Sequence, residues 1–460
     1  MISYLQYWSQ YQPSKLALKT RSSDVTWSEL SVLVGKIALQ LKAEGVNRND
    51  VVAAVGKNCP DLLFLYMACL EIGAIMSPIS PDPWSVLEGK FQTLVPKCVW
   101  WQYQAESACD LPRFSWTVDS LASASNVCIE PFNALSSHQL VSLIFTSGSS
   151  GKPKAVAHNA SQHIASAKGL LSKFEFEPTD SWLLSLPMYH VSGLAIIWRW
   201  LVVGATLVMP SDKGISYDLT QVTHASLVAV QLQRALEDNL TLRLKRVLLG
   251  GSHVCNSLCQ KAQARGVDTW LGYGMTEAAS TVTAKRTDEL ANAGSVLPNR
   301  QLKLVGDRIY IAGETLAVGY YQQGNVISLI EQDGWFDTKD LGQWQANNQL
   351  KIIGRADNQF ISGGENIHCE EIEAVLNALP QIQQSYVVPM VDAEFGHRPV
   401  AVLIADRLLN KGDYEAFIAS KLTKFKWPIA YYLMPTELLG SGIKVSRQSI
   451  KQWLLQQMAI

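Results

Sequence analysis

Residues 140–156 constrain the fold and chemistry of this chain more than any other stretch. A mostly apolar run of strand length leads directly into glycines and hydroxyl side chains, and lysines follow. Glycine lets a backbone adopt φ > 0 and approach a ligand closely, and the hydroxyls add hydrogen-bond donors. Lysine supplies a compact positive charge. The pattern predicts a phosphate-binding loop at the end of a strand, formed by Thr146, Ser147, Gly148, Ser149, Ser150, Gly151 and Lys152.

The spacing in this loop excludes the two commonest nucleotide motifs. Two residues separate Gly148 from Gly151, and Pro153 follows Lys152. A Walker A loop needs four residues between its glycines and a Ser or Thr directly after the lysine, and a dinucleotide-binding loop begins Gly-x-Gly. A flexible Gly/Ser linker is the remaining alternative. It is disfavoured because a strand leads in and lysines lead out.

Composition excludes several functional classes. The chain has 460 residues, 48% apolar and 17% charged, with a formal net charge of −1. This length predicts two or more domains, and the charge balance gives no reason to expect nucleic acid as a partner. Eight cysteines without a paired framework favour a reducing cytoplasm, and the N-terminus lacks the features of a signal peptide. Residues 193–209 are apolar but short and contain Arg199, so we expect a buried helix and strand and no membrane insertion.

The order of helical and strand patterns predicts an α/β fold. Residues 27–44 and 61–72 have apolar side chains at helical spacing, and residues 51–55 and 74–79 are typical of strands. Such alternation predicts an open, largely parallel sheet covered by helices, with ligands beyond the carboxyl ends of the strands.

Further predicted strands end in glycine, hydroxyl and carboxylate residues that we expect to share one pocket. Residues 181–186 precede a Pro-Met-Tyr-His segment, residues 246–249 lead to Gly250, Gly251 and Ser252, and residues 270–277 end in Thr-Glu. Short strands follow Gly294, and the composition changes after Arg355. We therefore predict domains at 1–355 and 356–460, the second a small α+β unit.

The motif Thr-Ser-Gly-Ser-Ser-Gly-Lys-Pro-Lys at 146–154 resembles the phosphate-binding signature of the adenylate-forming superfamily. That superfamily includes acyl-CoA and aryl-CoA synthetases, firefly luciferase and nonribosomal peptide synthetase adenylation domains. The resemblance implies that the loop holds the β- and γ-phosphates of ATP while a carboxylate attacks the α-phosphorus. It also implies a large N-terminal domain of helix-layered α/β sheets with a small β-barrel-like subdomain, and a mobile C-terminal lid.

Residues 272–277 resemble the second nucleotide motif of the superfamily. The resemblance implies that Tyr273 packs on adenine, Thr276 contacts the α-phosphate and Glu277 holds Mg²⁺. A flat ring suits a flat base, and a hard oxygen suits a hard cation. The other residues expected at the nucleotide from these turns are Gly250, Gly251, Ser252, Gly272 and Gly274.

Asp340 and Arg355 match the superfamily residues that bind ribose. A carboxylate can accept hydrogen bonds from both ribose hydroxyls. Asp337 is the rival, and Lys339 stands where the superfamily usually has glycine. Asp357 matches the hinge between the domains; the alternative is an ordinary solvated aspartate.

Lys444 matches the catalytic lysine near the C-terminus, whose ammonium can offset charge on the α-phosphate. The usual Pro-Lys/Arg-Thr sequence before it is missing, so a surface lysine is the alternative. His190 matches a residue beside the acyl pocket and either acts in the reaction or only packs. Gly363 and Gly364 would give the pantetheine arm of coenzyme A, the preferred acceptor, a narrow passage.

Arg199 bears on the identity of the acid. Its apolar surroundings require a buried anion, either a protein carboxylate or a second carboxylate on the substrate. Long segments around 182–201, 394–400 and 443–448 resemble the bacterial o-succinylbenzoate–CoA ligase family of menaquinone biosynthesis. The resemblance implies that Arg199 pairs with the benzoate carboxylate, in a pocket lined by His190, Ser192, Gly193, Ser280 and Thr281.

The resulting hypothesis is an ATP- and Mg²⁺-dependent ligase that forms an acyl adenylate and then a thioester with coenzyme A. Two alternatives stay open: a ligase for a different acid, and a nucleotide-binding relative without ligase activity. A homo-oligomer is also left open.

Overall fold

The computed structural model describes residues 3–103, 109–116, 138–146, 153–238, 240–251, 254–330, 333–439 and 445–458. Within these ranges the α-helices are α1 (Tyr4–Tyr11), α2 (Trp27–Ala43), α3 (Pro60–Ile72), α4 (Trp84–Leu94), α5 (Ala160–Leu171), α6 (Val191–Val203), α7 (Ile215–Asp218), α8 (Ala229–Glu237), α9 (Asn256–Ala264), α10 (Cys369–Leu376), α11 (Lys411–Ile418) and α12 (Arg447–Met458).

The strands fall in two groups along the chain. The first group contains β1 (Leu16–Lys19), β2 (Asp24–Thr26), β3 (Val51–Val55), β4 (Ile75–Ile79), β5 (Cys98–Trp101), β6 (Arg113–Phe114), β7 (Leu140–Thr146), β8 (Lys154–Asn159), β9 (Ser181–Leu183), β10 (Thr206–Val208), β11 (His224–Leu227), β12 (Arg246–Leu249), β13 (Asp268–Met275) and β14 (Ser280–Arg286). The second contains β15 (Ser295–Val296), β16 (Gln301–Val305), β17 (Arg308–Ala312), β18 (Gly319–Gln322), β19 (Asn325–Ser328), β20 (Phe336–Gln345), β21 (Gln349–Arg355), β22 (Gln359–Ser362), β23 (Glu365–His368), β24 (Ile382–Asp392), β25 (Gly396–Ala405) and β26 (Tyr431–Leu433).

Two large mixed sheets form the N-terminal part of the protein. One has the order β15–β14–β13–β12–β11–β9–β10–β1–β2, and the other has the order β19–β18–β8–β7–β4–β3–β5–β6. The largest apolar cluster contains residues of both sheets and of α2, α3, α5 and α6, so these helices form a layer between the sheets. Smaller clusters cover the outer faces with α8 and α9 on one sheet and α4 on the other. The predicted α/β class, with sheets layered by helices, is confirmed. The alternation of helices and strands alone had predicted one largely parallel sheet, and both large sheets are mixed.

The helices between the sheets are apolar around most of their circumference because both sides meet a sheet. In α3 every residue from 62 to 72 is buried, and the helix ends at Gly73 with φ 74°. Residues 193–209 form most of α6 and then β10, as expected from their apolar sequence. Among the described residues no helix has both the length and the apolar character needed to cross a bilayer.

The strands after residue 300 form smaller sheets. The antiparallel sheet β16–β17–β20–β21 matches the predicted run of short strands. Beyond Arg355, the hairpin β22–β23 and the sheet β24–β25–β26 pack with α10, α11 and α12 around two apolar clusters of their own. One predicted bound was wrong by a few residues: the strand predicted at 181–186 ends at Leu183.

Candidate active site

The predicted phosphate loop connects two paired strands. Strand β7 ends at Thr146, β8 begins at Lys154, and these two residues are cross-strand partners. The connection therefore begins at the carboxyl end of a strand, as the pattern predicted. Ser147, Gly148, Ser149, Ser150, Gly151 and Lys152 lie outside the described residues, as do Ser252 and Lys444, so their roles stay predictions.

The candidate ribose site is a network of side chains around Asp340, which is 7% exposed. Its carboxylate accepts from the Tyr273 hydroxyl at 2.6 Å and from Arg355 Nη1 at 3.1 Å. Arg355 also donates to both oxygens of Asp357, at 2.8 and 2.9 Å. The adenine, ribose and hinge residues named from the sequence thus lie in one connected group.

The rival carboxylate, Asp337, has other partners. Arg308 Nε donates to it at 2.8 Å and Lys339 Nζ lies 3.0 Å from it. Burial acts to raise its pKa, but hydrogen bonds from Arg308 and Lys339 lower it to about 2. Lys339 has φ 64°, in the left-handed region that glycine adopts without strain, which explains why glycine is usual here. The geometry favours Asp340 over Asp337 for ribose.

The candidate α-phosphate and metal residues lie on a single turn. A 3₁₀ helix, Thr276–Ala278, follows β13 directly. Two side chains that sequence reasoning missed hold this turn: His158 Nε2 lies 2.8 Å from the Thr276 carbonyl oxygen, and the Tyr320 hydroxyl donates to Glu277 Oε1 at 3.0 Å. Neither contact has a local signal in the sequence.

Glu277 suits a magnesium site in which substrate supplies most of the ligands. The described residues contain no cluster of three or more His, Cys, Asp or Glu side chains able to hold a metal. Protein Mg²⁺ sites at nucleotides often use one or two carboxylates and complete the coordination with phosphates and water. A single carboxylate on the turn that also carries Thr276 fits that pattern.

Arg199 projects from α6 and is 1% exposed. Its Nη1 donates to Ser226 Oγ and its Nη2 to Thr281 Oγ1, both at 3.4 Å, and its guanidinium lies 5.3 Å from the centre of the Trp182 ring. Among the described residues no carboxylate lies within ion-pair distance of it. Thr281 was named from the sequence, whereas Ser226 on β11 was missed.

The charge on Arg199 is therefore poorly compensated. Burial and, to a smaller extent, the nearby charge of Arg300 together lower the pKa of Arg199 to about 9. A buried cation without an opposite charge beside it is costly, and an anion between the two hydroxyls would stabilise it. This geometry is consistent with the prediction that Arg199 needs a buried anion. Two hydroxyls contact the guanidinium, and none of the carboxylates among the described residues does.

The wall beside Arg199 contains a strained turn. Ala279 and Ser280 have φ of 49° and 97°, values rare for residues with a side chain. Gly274 lies against this turn, since a Cβ there would be 1.8 Å from the Ser280 carbonyl oxygen. Gly193 is needed for packing, because a Cβ would be 2.1 Å from the Pro187 carbonyl oxygen. Backbone strain of this kind is common where a ligand is bound.

The remaining predicted residues lie at element ends. His190 directly precedes α6, and Ser192 is the second residue of that helix. The His190 ring packs edge to face on Tyr189, with ring centres 4.8 Å apart. Gly250 and Gly251 follow β12, and Gly272 lies in β13. Gly363 and Gly364, with φ of 57° and 88°, form the two-residue turn between β22 and β23. That turn type requires positive φ at both positions, so the hairpin explains these glycines whatever their role toward coenzyme A.

Comparison with known proteins places this geometry in a family. The AMP-binding enzyme family matches residues 5–85 and 95–321. The chain is 38% identical to 2-succinylbenzoate–CoA ligase of Escherichia coli (strain K12), over 98% of both chains. It belongs to the AMP-binding enzymes, among the 2-succinylbenzoate–CoA ligases. Another member of this family, from Haemophilus influenzae, is 39% identical over 96% of both chains.

A solved structure agrees with this assignment. A variant of Escherichia coli MenE with bound OSB-AMS has 36% sequence identity and a TM-score of 0.90, covering 99% of both chains. Structures of Bacillus subtilis o-succinylbenzoate CoA synthetase have lower identity, 23–24%, and support the fold alone. The superfamily and the family predicted from the motifs are confirmed.

Proposed function

We propose that this protein is an ATP-dependent 2-succinylbenzoate–CoA ligase that acts in menaquinone biosynthesis. It joins o-succinylbenzoate to coenzyme A and releases AMP and pyrophosphate. Family membership and the nucleotide network around Asp340 support the adenylate chemistry. The observation that carries the choice of acid is the buried guanidinium of Arg199.

Arg199 selects for an acid with two carboxylates. The guanidinium faces hydroxyls of Ser226 and Thr281 at 3.4 Å, long for hydrogen bonds, so a carboxylate would be a stronger partner than either. In o-succinylbenzoate the ring carboxylate occupies this position and the succinyl carboxylate stays free for activation. Trp182, on the face of the guanidinium, contributes an aromatic wall.

In the first step the succinyl carboxylate oxygen attacks the α-phosphorus of ATP, and the bond to pyrophosphate breaks. Asp340 accepts the ribose hydroxyls, Tyr273 packs on adenine, and Thr276 donates to the α-phosphate. Glu277 would hold Mg²⁺, which when bound would supply positive charge to offset the phosphates. Lys152 of the phosphate loop and Lys444 of the C-terminal domain stabilise negative charge that develops during the transfer.

In the second step the sulfur of coenzyme A attacks the acyl carbon, the thiol loses its proton, and the bond to AMP breaks. The two steps place different demands on one site, so we propose that the C-terminal domain turns about Asp357 between them. Asp357 accepts two hydrogen bonds from Arg355, which ties the hinge to the ribose site. The cytoplasmic location and any homo-oligomer stay predictions.

The choice of acid is tested by removing one carboxylate from the substrate. AMP formation is measured with o-succinylbenzoate and with 3-benzoylpropionate, which lacks the ring carboxylate, each with and without coenzyme A. We expect kcat/KM to fall by about 100-fold or more, the consequence of leaving a buried charge unpaired. Equal rates would favour a ligase for a different acid. A failure of every acid in a wider panel to release pyrophosphate would favour a relative without ligase activity.

A further inference from the structure

The turn that carries Thr276 and Glu277 is held by side chains of a different sheet. The turn follows β13 of the nine-stranded sheet, whereas His158 on β8 and Tyr320 on β18 belong to the eight-stranded sheet. We infer that these two side chains, here called the turn clamp, position the turn for ATP and Mg²⁺. This inference rests on the proposed function, since it concerns how that reaction is prepared.

The two members of the turn clamp lie side by side because of strand pairing. Strands β8 and β18 are antiparallel neighbours, with Val156 opposite Tyr320. Residues two apart on a strand share a face, so Val156 and His158 share the face on which Tyr320 lies. Val156 also belongs to one apolar cluster with Ala278 of the turn. The strand that follows the phosphate loop thus presents one surface to the residues expected at the α-phosphate and the metal.

Tyr320 fixes the orientation of the Glu277 carboxylate. Its hydroxyl donates to Oε1 at 3.0 Å, which leaves Oε2 for a cation. A glutamate side chain in solution samples several rotamers, and a bond from a neighbouring group restricts them. Lys154 Nζ lies 5.0 Å from the centre of the Tyr320 ring, so the first residue of β8 contacts the same side chain. Glu277 is therefore oriented before Mg²⁺ arrives.

His158 fixes the backbone of the turn. A carbonyl oxygen only accepts, so His158 Nε2 carries the proton and donates to Thr276 at 2.8 Å. The histidine side chain is fully buried. Burial lowers the pKa of His158 to about 4, so the ring stays neutral and in this tautomer at neutral pH. This hydrogen bond fixes the position of the Thr276 backbone relative to β8. It thereby also positions the Thr276 hydroxyl, which is expected to contact the α-phosphate.

Adjacent tyrosines allow a matched test of the first contact. Tyr321 lies on the opposite face of β18, in the apolar cluster with Ala155 and Ala157. Y320F and Y321F each remove one phenolic oxygen from neighbouring positions. ATP binding is measured by calorimetry over a Mg²⁺ series and in EDTA. We expect Y320F to raise the half-saturating Mg²⁺ concentration about tenfold, with binding in EDTA unchanged, and Y321F to stay within twofold of wild type.

The histidine is tested with a pair of variants that differ in one donor. Gln can still donate from its Nε2 atom, whereas Leu cannot. We expect H158L to raise the KM for ATP in pyrophosphate exchange about tenfold and H158Q to stay within about threefold, with thermal melts showing that both variants are folded.

The inference is wrong if Y320F and Y321F have the same Mg²⁺ dependence, or if H158Q is impaired as much as H158L. A wild-type protein without any Mg²⁺-dependent ATP binding would instead contradict the proposed function, so the two failures are distinguishable.

Discussion

Replacing Arg199 by methionine should separate the effect of this residue on the free energy of unfolding from its effect on catalysis. Burial lowers the pKa of Arg199 from 12.5 to about 9. At about 1.4 kcal/mol for each tenfold change in the ionisation constant, this corresponds to a penalty on the order of 5 kcal/mol for keeping the charged form buried. Methionine has a similar reach and no charge, so R199M removes that penalty.

Several smaller losses oppose this gain. R199M loses two hydrogen bonds at 3.4 Å and the contact with Trp182. The hydroxyls of Ser226 and Thr281 then need other hydrogen-bond partners. Those losses total roughly 1–3 kcal/mol. We therefore expect the free energy of unfolding of the unliganded protein to rise by about 2–4 kcal/mol, within the gains found when buried charges are replaced by well-packed apolar side chains.

The assay is urea unfolding with and without o-succinylbenzoate, together with kcat/KM for that acid. We expect R199M to lose the stabilisation by o-succinylbenzoate and at least about 100-fold in kcat/KM. The result that refutes the reasoning is a loss of about 3–5 kcal/mol in the unliganded protein, which would mean that a protein carboxylate already neutralises Arg199.

Arg300 provides the matched control. It is also buried, but it donates to the Pro298 carbonyl at 2.7 Å and to both oxygens of Ser166 at 3.0 Å. Burial also lowers the pKa of Arg300, to about 10, so R300M removes a penalty of roughly 3 kcal/mol. It also loses three short hydrogen bonds from a charged donor, worth about 1.5–3 kcal/mol each, so we expect R300M to destabilise the protein by about 2–6 kcal/mol. The same substitution thus has opposite effects on stability at the two sites.

Two further changes test strain and burial elsewhere. Because Lys339 has φ 64°, K339G should be about 1 kcal/mol more stable than K339A in chemical unfolding; both lose the ion pair with Asp337, and equal stabilities would argue against strain. Burial raises the pKa of Glu71 to about 7, so its contribution to stability is present below about pH 4.5 and is lost as the pH rises through 7. E71Q should therefore flatten the stability profile between pH 5 and 8 and be about 1–3 kcal/mol more stable at pH 8; an unchanged profile would mean that Glu71 titrates normally.

Much of the fold was predictable because local patterns determine it. The helix at residues 27–44 ends at Ala43, the strand at 51–55 has the predicted bounds, and the glycine after Ile72 ends its helix. Periodicity, caps and glycines act within a few residues, so a single sequence contains them. Element ends were less accurate, since the last residues of a strand depend on whether a neighbour continues the pairing.

The candidate site divides in the same way. The motifs predicted which site residues lie at the ends of strands, such as Thr276 and Glu277 after β13. The choice of Asp340 over Asp337 rested on the Leu-Gly that follows Asp340 in the sequence. The coordinates add the partners of each carboxylate, Arg308 for Asp337 and Tyr273 for Asp340. The hairpin geometry of Gly363 and Gly364 likewise emerged only from the backbone angles.

By itself the sequence determined the family and the alternating α/β architecture. It also determined which chemical groups can bind a carboxylate, a nucleotide and a cation. The tertiary structure decided which groups meet: Ser226 with Arg199, His158 with Thr276, and Tyr320 with Glu277. These partners are separated by 27, 118 and 43 positions along the chain. Contacts over such separations depend on how helices and sheets pack, and a local pattern of residues carries no record of that packing.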